Sequence, residues 1–203
     1  MNLKDKFINL LLEIGFEVSK TDTLWQELVK AYSGKNRHYH NLIHLEEMIV
    51  QYEKYLSELT FPVEVLYAIF YHDYVYKASS KENELKSAEF AISILPTHSK
   101  INATLVFDMI VATKLHEHNR VEDTNWLIDF DLKILSKEWE DYVVYFKQIR
   151  KEYKMYPDFL YNPGRKKALQ HFLENEFIFQ TETFQTKFEK QARENILKEI
   201  AQL

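Results

Sequence analysis

The chain has 203 residues, of which 46% are hydrophobic, and its 26 basic and 31 acidic residues give a formal net charge of −5. Only three Gly and four Pro occur, too few turn residues for many short strands, so the composition favours helices. Charges of both signs are mixed along the chain, which predicts no binding to nucleic acid polymers, and the lack of Cys restricts any metal site to His and carboxylate ligands.

Apolar residues recur at helical spacing along most of the chain, which predicts a succession of amphipathic helices. The first covers residues 3–14 and ends at Gly15, a residue that can adopt the left-handed cap conformation. A second follows N-cap candidates at positions 21–23 and ends at Gly34. Ser99 is the predicted cap of a later helix. The remaining predicted helices cover about 39–59, 63–73, 82–95, 101–113, 123–135, 139–153, 165–173 and 184–200.

The organisation of these helices predicts a compact protein without membrane contacts. Short loops and the absence of internal repeats predict an all-α fold, an orthogonal helical bundle that forms a single domain over residues 1–203. The N-terminal apolar run contains Lys4, Asp5, Lys6 and Glu13, which interrupt the continuous core that a signal peptide needs. No other window approaches a charge-free membrane span. We therefore predict a cytoplasmic location.

A histidine pair opens the segment that carries most of the chemical information. His40 and His44 are spaced by one helical turn, so two imidazoles could converge on one metal ion. Paired histidines on a helix also occur as surface or capping residues, and this alternative stays open at the level of the pair. Zinc metalloproteases share the spacing but carry a Glu directly after the first His as general base, where this chain has Asn41. The protease interpretation is therefore excluded.

A second feature is the adjacent imidazole and carboxylate of His72 and Asp73, at the end of a strongly apolar predicted helix. Burial of an unpaired carboxylate is unfavourable, and a divalent cation would supply its partner. Mixed N and O ligands suit Zn, Fe, Mn or Co better than Ca. The alternative is that Asp73 caps the helix or forms a salt bridge at its end.

Two further carboxylates, Asp129 and Asp131, lie within an apolar helical run. Positions i and i+2 of a helix face different directions, so only one of the two is expected to reach a shared site. We choose Asp131. The alternative is that either residue lies on the solvent face.

Taken in order, these fragments resemble the H…HD…D signature of the HD superfamily, whose members are helical metal-dependent phosphohydrolases. The segments that resemble a bacterial group of predicted HD phosphohydrolases are Tyr-His-Asn-x-x-His from Tyr39, Tyr-His-Asp-x-Val-Tyr from Tyr71, Asn83-Glu84 with Ser87-Ala88, and Asp-x-Asp-Leu from Asp129. The similarity extends over nearly the whole chain, including Arg150, Tyr153, Tyr161, Gly164-Arg165 and residues 189–195. The resemblance implies an HD-type helical bundle that hydrolyses a phosphate ester.

The resemblance also implies a role for each matching residue. The four metal positions correspond to His44, His72, Asp73 and Asp131. These residues would hold one or two divalent ions of Mn, Fe, Co, Zn or Mg. Asp73 is the residue placed to bridge two ions and is therefore predicted to be catalytic as well. Cyclic nucleotide phosphodiesterases of the same superfamily carry a similar Tyr-His-Asn-x-x-His segment, whose first His resembles the general acid, and this implies that role for His40. The rest of the phosphodiesterase pattern is absent, so cyclic nucleotide specificity is not implied.

The expected substrate is a small phosphorylated molecule, nucleotide-like in character. A neutral imidazole cannot donate a proton to a leaving alkoxide, so His40 must be protonated, and Glu84 is the candidate carboxylate that would favour this state. The other predicted substrate-binding residues are Arg37, Asn41 and His116, the last of these resembling an extra His that binds a second metal or the substrate phosphate. The alternative function is a non-catalytic, metal-containing HD-fold module that binds a ligand.

Overall fold

The computed structural model describes all 203 residues and consists of helices without any β-strand, which confirms the all-α prediction. The α-helices are α1 (Leu3–Ile14), α2 (Val18–Tyr32), α3 (Leu42–Lys54), α4 (Pro62–Tyr71), α5 (Asn83–Ser93), α6 (Ala103–Ala112), α7 (Glu122–Leu132), α8 (Trp139–Glu152), α9 (Asp158–Glu174) and α10 (Glu182–Ile200). Short 3₁₀ turns follow α3 at Leu56–Glu58 and α7 at Lys133–Ser136. None of the helices combines the length and the apolar character needed to cross a membrane.

Helix α4 occupies the centre of the molecule. It packs against α1, α3, α5, α6 and α7, and its side chains from Tyr67 to Tyr71 are all buried, as its apolar sequence predicts. The buried hydrophobic residues of the surrounding helices join those of α4 in one continuous core. The carboxyl end of α4 therefore delivers His72 and Asp73 to the interior of the protein.

The last helix, α10, fixes the segment that follows α7. The buried amide of Asn195 donates hydrogen bonds to the main-chain oxygens of Leu135 and Lys137, at 2.9 and 2.7 Å. The ring of Phe184 packs among the aromatic side chains of Tyr55, Trp126, Phe130, Phe179 and Phe188. These contacts hold the end of α7, and with it Asp131, in a defined position.

The predicted cap of α1 is confirmed. Gly15 has a φ angle of 111°, in the left-handed region, and its N–H donates to the carbonyl oxygens of Leu11 and Leu12. Helix α2, in contrast, begins at Val18, ahead of the predicted caps, and the Thr21 hydroxyl donates to the Val18 carbonyl within the first turn instead of capping the helix.

Three other helix starts differ from the predictions. Asn102, and not Ser99, caps α6, since its side chain accepts the N–H of Leu105 at 3.1 Å. Helix α3 starts at Leu42, with Asn41 as its N-cap, so residues 39–41 lie outside the helix. Helix α9 starts well before position 165 and continues through Pro163, which lies in its exposed face and removes only one main-chain donor.

Candidate metal centre

Three separate helices bring one ligand group each to a common point. His44 lies in the first turn of α3, His72 directly follows α4, and Asp131 is the penultimate residue of α7. One potential ligand atom from each residue lies within 4.8 Å of the other two. Both histidines are almost fully buried, with 2% and 1% of their surface exposed. The structure thus confirms that these three predicted ligands form a group that could hold a metal ion.

The chemistry of this donor set fits a divalent cation. The Nδ1 atom of His72 donates to the Ile69 carbonyl at 2.9 Å, which directs its Nε2 atom towards His44 Nε2 at 3.3 Å. His72 Nε2 also lies 3.2 Å from the Asp73 carboxylate, and His44 Nε2 lies 3.2 Å from the Asp131 carboxylate. Lone pairs that converge at these separations require a cation or a proton between them. Around a metal ion with bonds of about 2.1 Å, neighbouring ligand atoms lie at similar distances from one another.

The carboxylates of the centre remain ionised at neutral pH. Burial raises the pKa of Asp131, but hydrogen bonds from His116 and His44 lower it more, to well below the ordinary value. Burial likewise raises the pKa of Asp73, and the neighbouring His72 and His40 outweigh this effect, so the pKa is lowered. For His72, burial lowers the pKa, whereas Asp73 and Asp131 raise it more, to about 9. The negative charge that attracts a proton to His72 also favours a cation.

The choice between the two carboxylates of α7 is resolved by their partners. Asp129 is fully buried on another face of the helix, where it accepts hydrogen bonds from the main-chain N–H groups of Gln180 and Thr181 and from the Thr181 hydroxyl, at 2.6, 2.8 and 2.6 Å. It therefore fixes the two residues that precede α10, including its N-cap Thr181. Asp131 belongs to the metal-ligand group, as predicted, and neither residue lies on the solvent face.

Asp73 lies next to this group of three residues but is not one of them. The mutual separation of 4.8 Å holds for His44, His72 and Asp131, and Asp73 joins them from the side of His72. Its main-chain oxygen accepts a hydrogen bond from Arg37 at 2.8 Å, so both ends of this residue are fixed. The carboxylate is available to a cation held at His72.

His40 is placed differently from the sequence-based expectation. Because α3 begins at Leu42, His40 precedes the helix, and its relation to His44 as neighbours on one helical face is wrong. The two rings nevertheless lie close, with centroids 6.1 Å apart. His40 Nδ1 lies 2.6 Å from a carboxylate oxygen of Glu152, and its ring lines a cavity that His116 and Asp131 also line. His40 therefore faces the candidate metal centre across this cavity.

The partner of His40 is Glu152, and the proposal of Glu84 in that role is wrong. Glu84 makes no side-chain hydrogen bond or salt bridge, whereas the buried Glu152 accepts the main-chain N–H groups of residues 38–40 on Oε1, at 2.7, 2.8 and 3.1 Å. Its Oε2 atom accepts the Tyr76 hydroxyl at 2.6 Å. Glu152 comes from the far end of α8, 112 residues after His40, where its charged neighbours Arg150 and Lys151 give no local signal of this role.

These contacts favour the protonated form of His40. Burial alone lowers the pKa of His40, but Asp73 and Glu152 raise it more, so the net pKa lies above the ordinary value. Burial raises the pKa of Glu152, yet its hydrogen bond with His40 prevails and lowers it to about 2. The pair therefore favours an imidazolium that is held by a carboxylate.

His116 joins the centre through an uncommon backbone conformation. Its φ angle is 55°, and it is the one non-glycine residue of the chain with a positive φ. Its Nε2 atom lies 3.2 Å from the second carboxylate oxygen of Asp131, and its carbonyl accepts the Gln180 side-chain amide at 2.9 Å. A left-handed conformation at such a residue is typical of functional sites, where surrounding contacts hold it.

Two other predicted substrate-binding residues have structural roles. The Arg37 guanidinium donates to the carbonyl oxygens of His40, Asp73 and Tyr74, at 3.0, 2.8 and 2.8 Å. It so connects the segment that precedes α3 with the segment that follows α4. Asn41 uses its side chain to cap α3 and to donate to the His38 carbonyl. Neither residue lines the cavity beside Asp131, and His116 is the member of that predicted set that does.

The cavity next to the metal centre has a volume of about 580 Å³ and is lined largely by aromatic and aliphatic side chains, several of them from α8 and α9. A depression of about 680 Å³ between the α1–α2 turn and residues 94–98 contains none of the site residues. Of these two spaces, the cavity lined by His40, His116 and Asp131 is therefore the one next to the site.

The fold and the site define an all-helical protein with a candidate His/His/Asp metal centre beside a largely apolar cavity. No protein-family model, curated protein or solved structure matches this chain.

Proposed function

We propose that this chain is a metal-dependent phosphohydrolase of the HD type that hydrolyses a phosphate ester of a small, nucleotide-like substrate. The observation that carries the proposal is the convergence of His44, His72 and Asp131 next to a cavity into which the Glu152-paired His40 also faces. The order of these residues, with the adjacent Asp73, agrees with the H…HD…D signature that the sequence resembles.

The metal would be held by His44, His72 and Asp131, with Asp73 next to them. When bound, a divalent cation lowers the pKa of a water molecule towards neutrality and offsets negative charge on phosphoryl oxygens. The imidazole and carboxylate donors suit Mn, Fe, Co or Zn, and Mg is also compatible with the carboxylates. The buried position of both histidines keeps the donors fixed and excludes bulk water from their far side.

His40 would act on the leaving group. Its Nδ1–H is held by Glu152, which leaves the proton on Nε2 free for transfer to the oxygen of the departing alcohol. The ionised Glu152 stabilises the imidazolium before transfer and fixes the ring orientation. The general acid, which precedes α3, thus depends on a carboxylate that α8 provides.

Replacing Glu152 by Gln tests this dependence. The change removes the negative charge that raises the pKa of His40, so the alkaline limb of the pH–activity profile should move to lower pH, because His40 loses its proton earlier. Loss of the orienting hydrogen bond should also reduce kcat by about tenfold or more. The matched control is Glu84→Gln, which should keep the profile of the unchanged protein. A shift in E84Q without one in E152Q would assign the role to Glu84.

A panel of phosphorylated metabolites, assayed with Mn²⁺, Co²⁺, Mg²⁺ and Zn²⁺, tests the function itself. We expect release of inorganic phosphate, or of a phosphomonoester from a diester, that requires an added divalent ion and stops with a chelator. Saturable ligand binding without turnover of any compound would instead support the non-catalytic binding module. Absence of metal binding after reconstitution would contradict both functions.

A further inference from the structure

The cavity beside the metal centre has a size and a lining suited to an organic group larger than a phosphate. Its volume of about 580 Å³ lies in the range typical of small-molecule sites. The aromatic residues of its wall are Tyr39, Tyr145, Tyr153, Tyr156, Tyr161 and Phe172. Rings of this kind bind flat groups by stacking and by edge contacts, and tyrosines add a polar handle.

One cation in this wall, Arg165, is already paired with a buried carboxylate. Its Nε and Nη2 atoms donate to the two oxygens of Glu199, at 2.7 and 3.1 Å. Only 1% of Glu199 is exposed, and its Oε2 atom also accepts the Tyr142 hydroxyl at 2.6 Å. The pair therefore carries no net charge. Its geometry fixes the plane of the guanidinium against the Tyr145 ring.

The third nitrogen of this guanidinium, Nη1, makes no hydrogen bond within the protein, although Arg165 lines the cavity. Tyr39 lines the same cavity, and its buried hydroxyl has no partner in the protein. Buried polar groups almost always find a partner, so the Tyr39 hydroxyl indicates a ligand or ordered water in this space, and the accessible Nη1 atom is free to donate to the same ligand. A neutral ion pair offers directional N–H donors but little attraction for an anion, which favours an uncharged acceptor over a second phosphate.

We propose that this cavity binds the organic part of the substrate as a flat, uncharged ring with carbonyl or ring-nitrogen acceptors, and that Arg165 determines specificity by donating to that ring from Nη1. The placement of the phosphate at the metal centre rests on the proposed function. The ring-binding role of the cavity is independent of it, because a nucleoside contains the ring without any phosphate.

Calorimetric titration with adenosine, guanosine, cytidine and uridine tests the ring site without catalysis. We expect at least one nucleoside to bind saturably and ribose to show no binding. Arg165→Lys keeps a positive charge beside Glu199 but loses the Nη1 donors, so it should weaken nucleoside binding by about tenfold or more. Arg193→Lys is the matched control, since Arg193 also pairs with a partly buried carboxylate, that of Glu189, but does not line the cavity.

A second variant does not touch the ion pair. A Cβ atom at Gly164 would meet no atom within 4 Å, and this helical residue lines the cavity, so Gly164→Phe should fill part of the cavity without disturbing the fold. It should abolish nucleoside binding and leave metal content unchanged. Thermal melting of each variant confirms that it is folded.

The results separate the two proposals. Nucleoside binding that is lost in R165K and G164F, without hydrolysis of any nucleotide, would support the ring site and contradict the phosphohydrolase. Hydrolysis of nucleotides and of ribose 5-phosphate with equal kcat/KM, or nucleoside affinity unchanged in R165K, would overturn the ring site alone. Weaker binding of inorganic phosphate in R165K would identify Arg165 as an anion site and would also overturn the inference.

Discussion

Replacing His40 by Ala should lower phosphatase activity by about two orders of magnitude or more, the usual contribution of a general acid. The imidazole removed lines the cavity, and its contact with Glu152 favours the protonated form that a general acid needs. Metal content should stay unchanged, because His40 is not one of the three residues whose ligand atoms converge. Phosphate release and metal analysis by mass spectrometry measure the two quantities.

His38→Ala is the matched control for this variant. His38 precedes the same helix and its main-chain N–H also donates to Glu152, but its side chain makes no hydrogen bond and does not line the cavity. Its removal should leave activity within about twofold of the unchanged protein, as expected for a side chain away from the reacting groups. Full activity in H40A would remove His40 from the mechanism, and a loss of metal in H40A would make it a ligand instead.

Replacing Asp131 by Asn should lower metal affinity by more than about 100-fold. Removal of groups that merely orient a metal ligand lowers affinity by about 10- to 100-fold, and this substitution removes a charged ligand oxygen itself. Asp131 also receives contacts from both His44 and His116, so its charge organises two imidazoles of the centre. Calorimetric titration with Mn²⁺ or Zn²⁺ measures the change.

A substitution at the neighbouring Asp129 is the control, because it should change stability and not metal affinity. Asp129→Asn should keep the metal affinity, but it should lower stability by about 1–3 kcal/mol, because an amide donor would face the N–H groups of Gln180 and Thr181. Thermal melting therefore distinguishes the two variants. If D129N lost the metal while D131N retained it, the assignment of the two carboxylates would be reversed.

The helices were predictable because they depend on short-range patterns, whereas the set of metal ligands was implied by the resemblance to the H…HD…D signature. Helical periodicity repeats every few residues, so the apolar run of α4 predicted a buried helix that ends beside His72 and Asp73. The opposed directions of positions 129 and 131 likewise follow from one helical turn, and the structure places them on different faces as expected. Local geometry is fixed by neighbours in the sequence, and these predictions needed nothing more.

The helix starts could be predicted only partly, because capping depends on competing hydrogen bonds. Asn41 can continue a helix or cap one, and its side chain accepts the Ile43 N–H in the folded chain. That choice removes His40 from the helix and turns it towards α8. The rings of His40 and His44 do lie close together, but the helical spacing from which this was predicted does not exist in the structure.

By itself, the sequence determined an all-helical protein and the residues that could bind a metal. Only the tertiary structure decided the partners of the other charged groups: Glu152 lies 112 residues from His40, and Glu199 lies 34 residues from Arg165. A charge on an amphipathic helix looks the same in sequence whether it faces water or a buried cation. Burial and partner are set by how distant helices pack, and that long-range packing leaves no periodic trace in the chain.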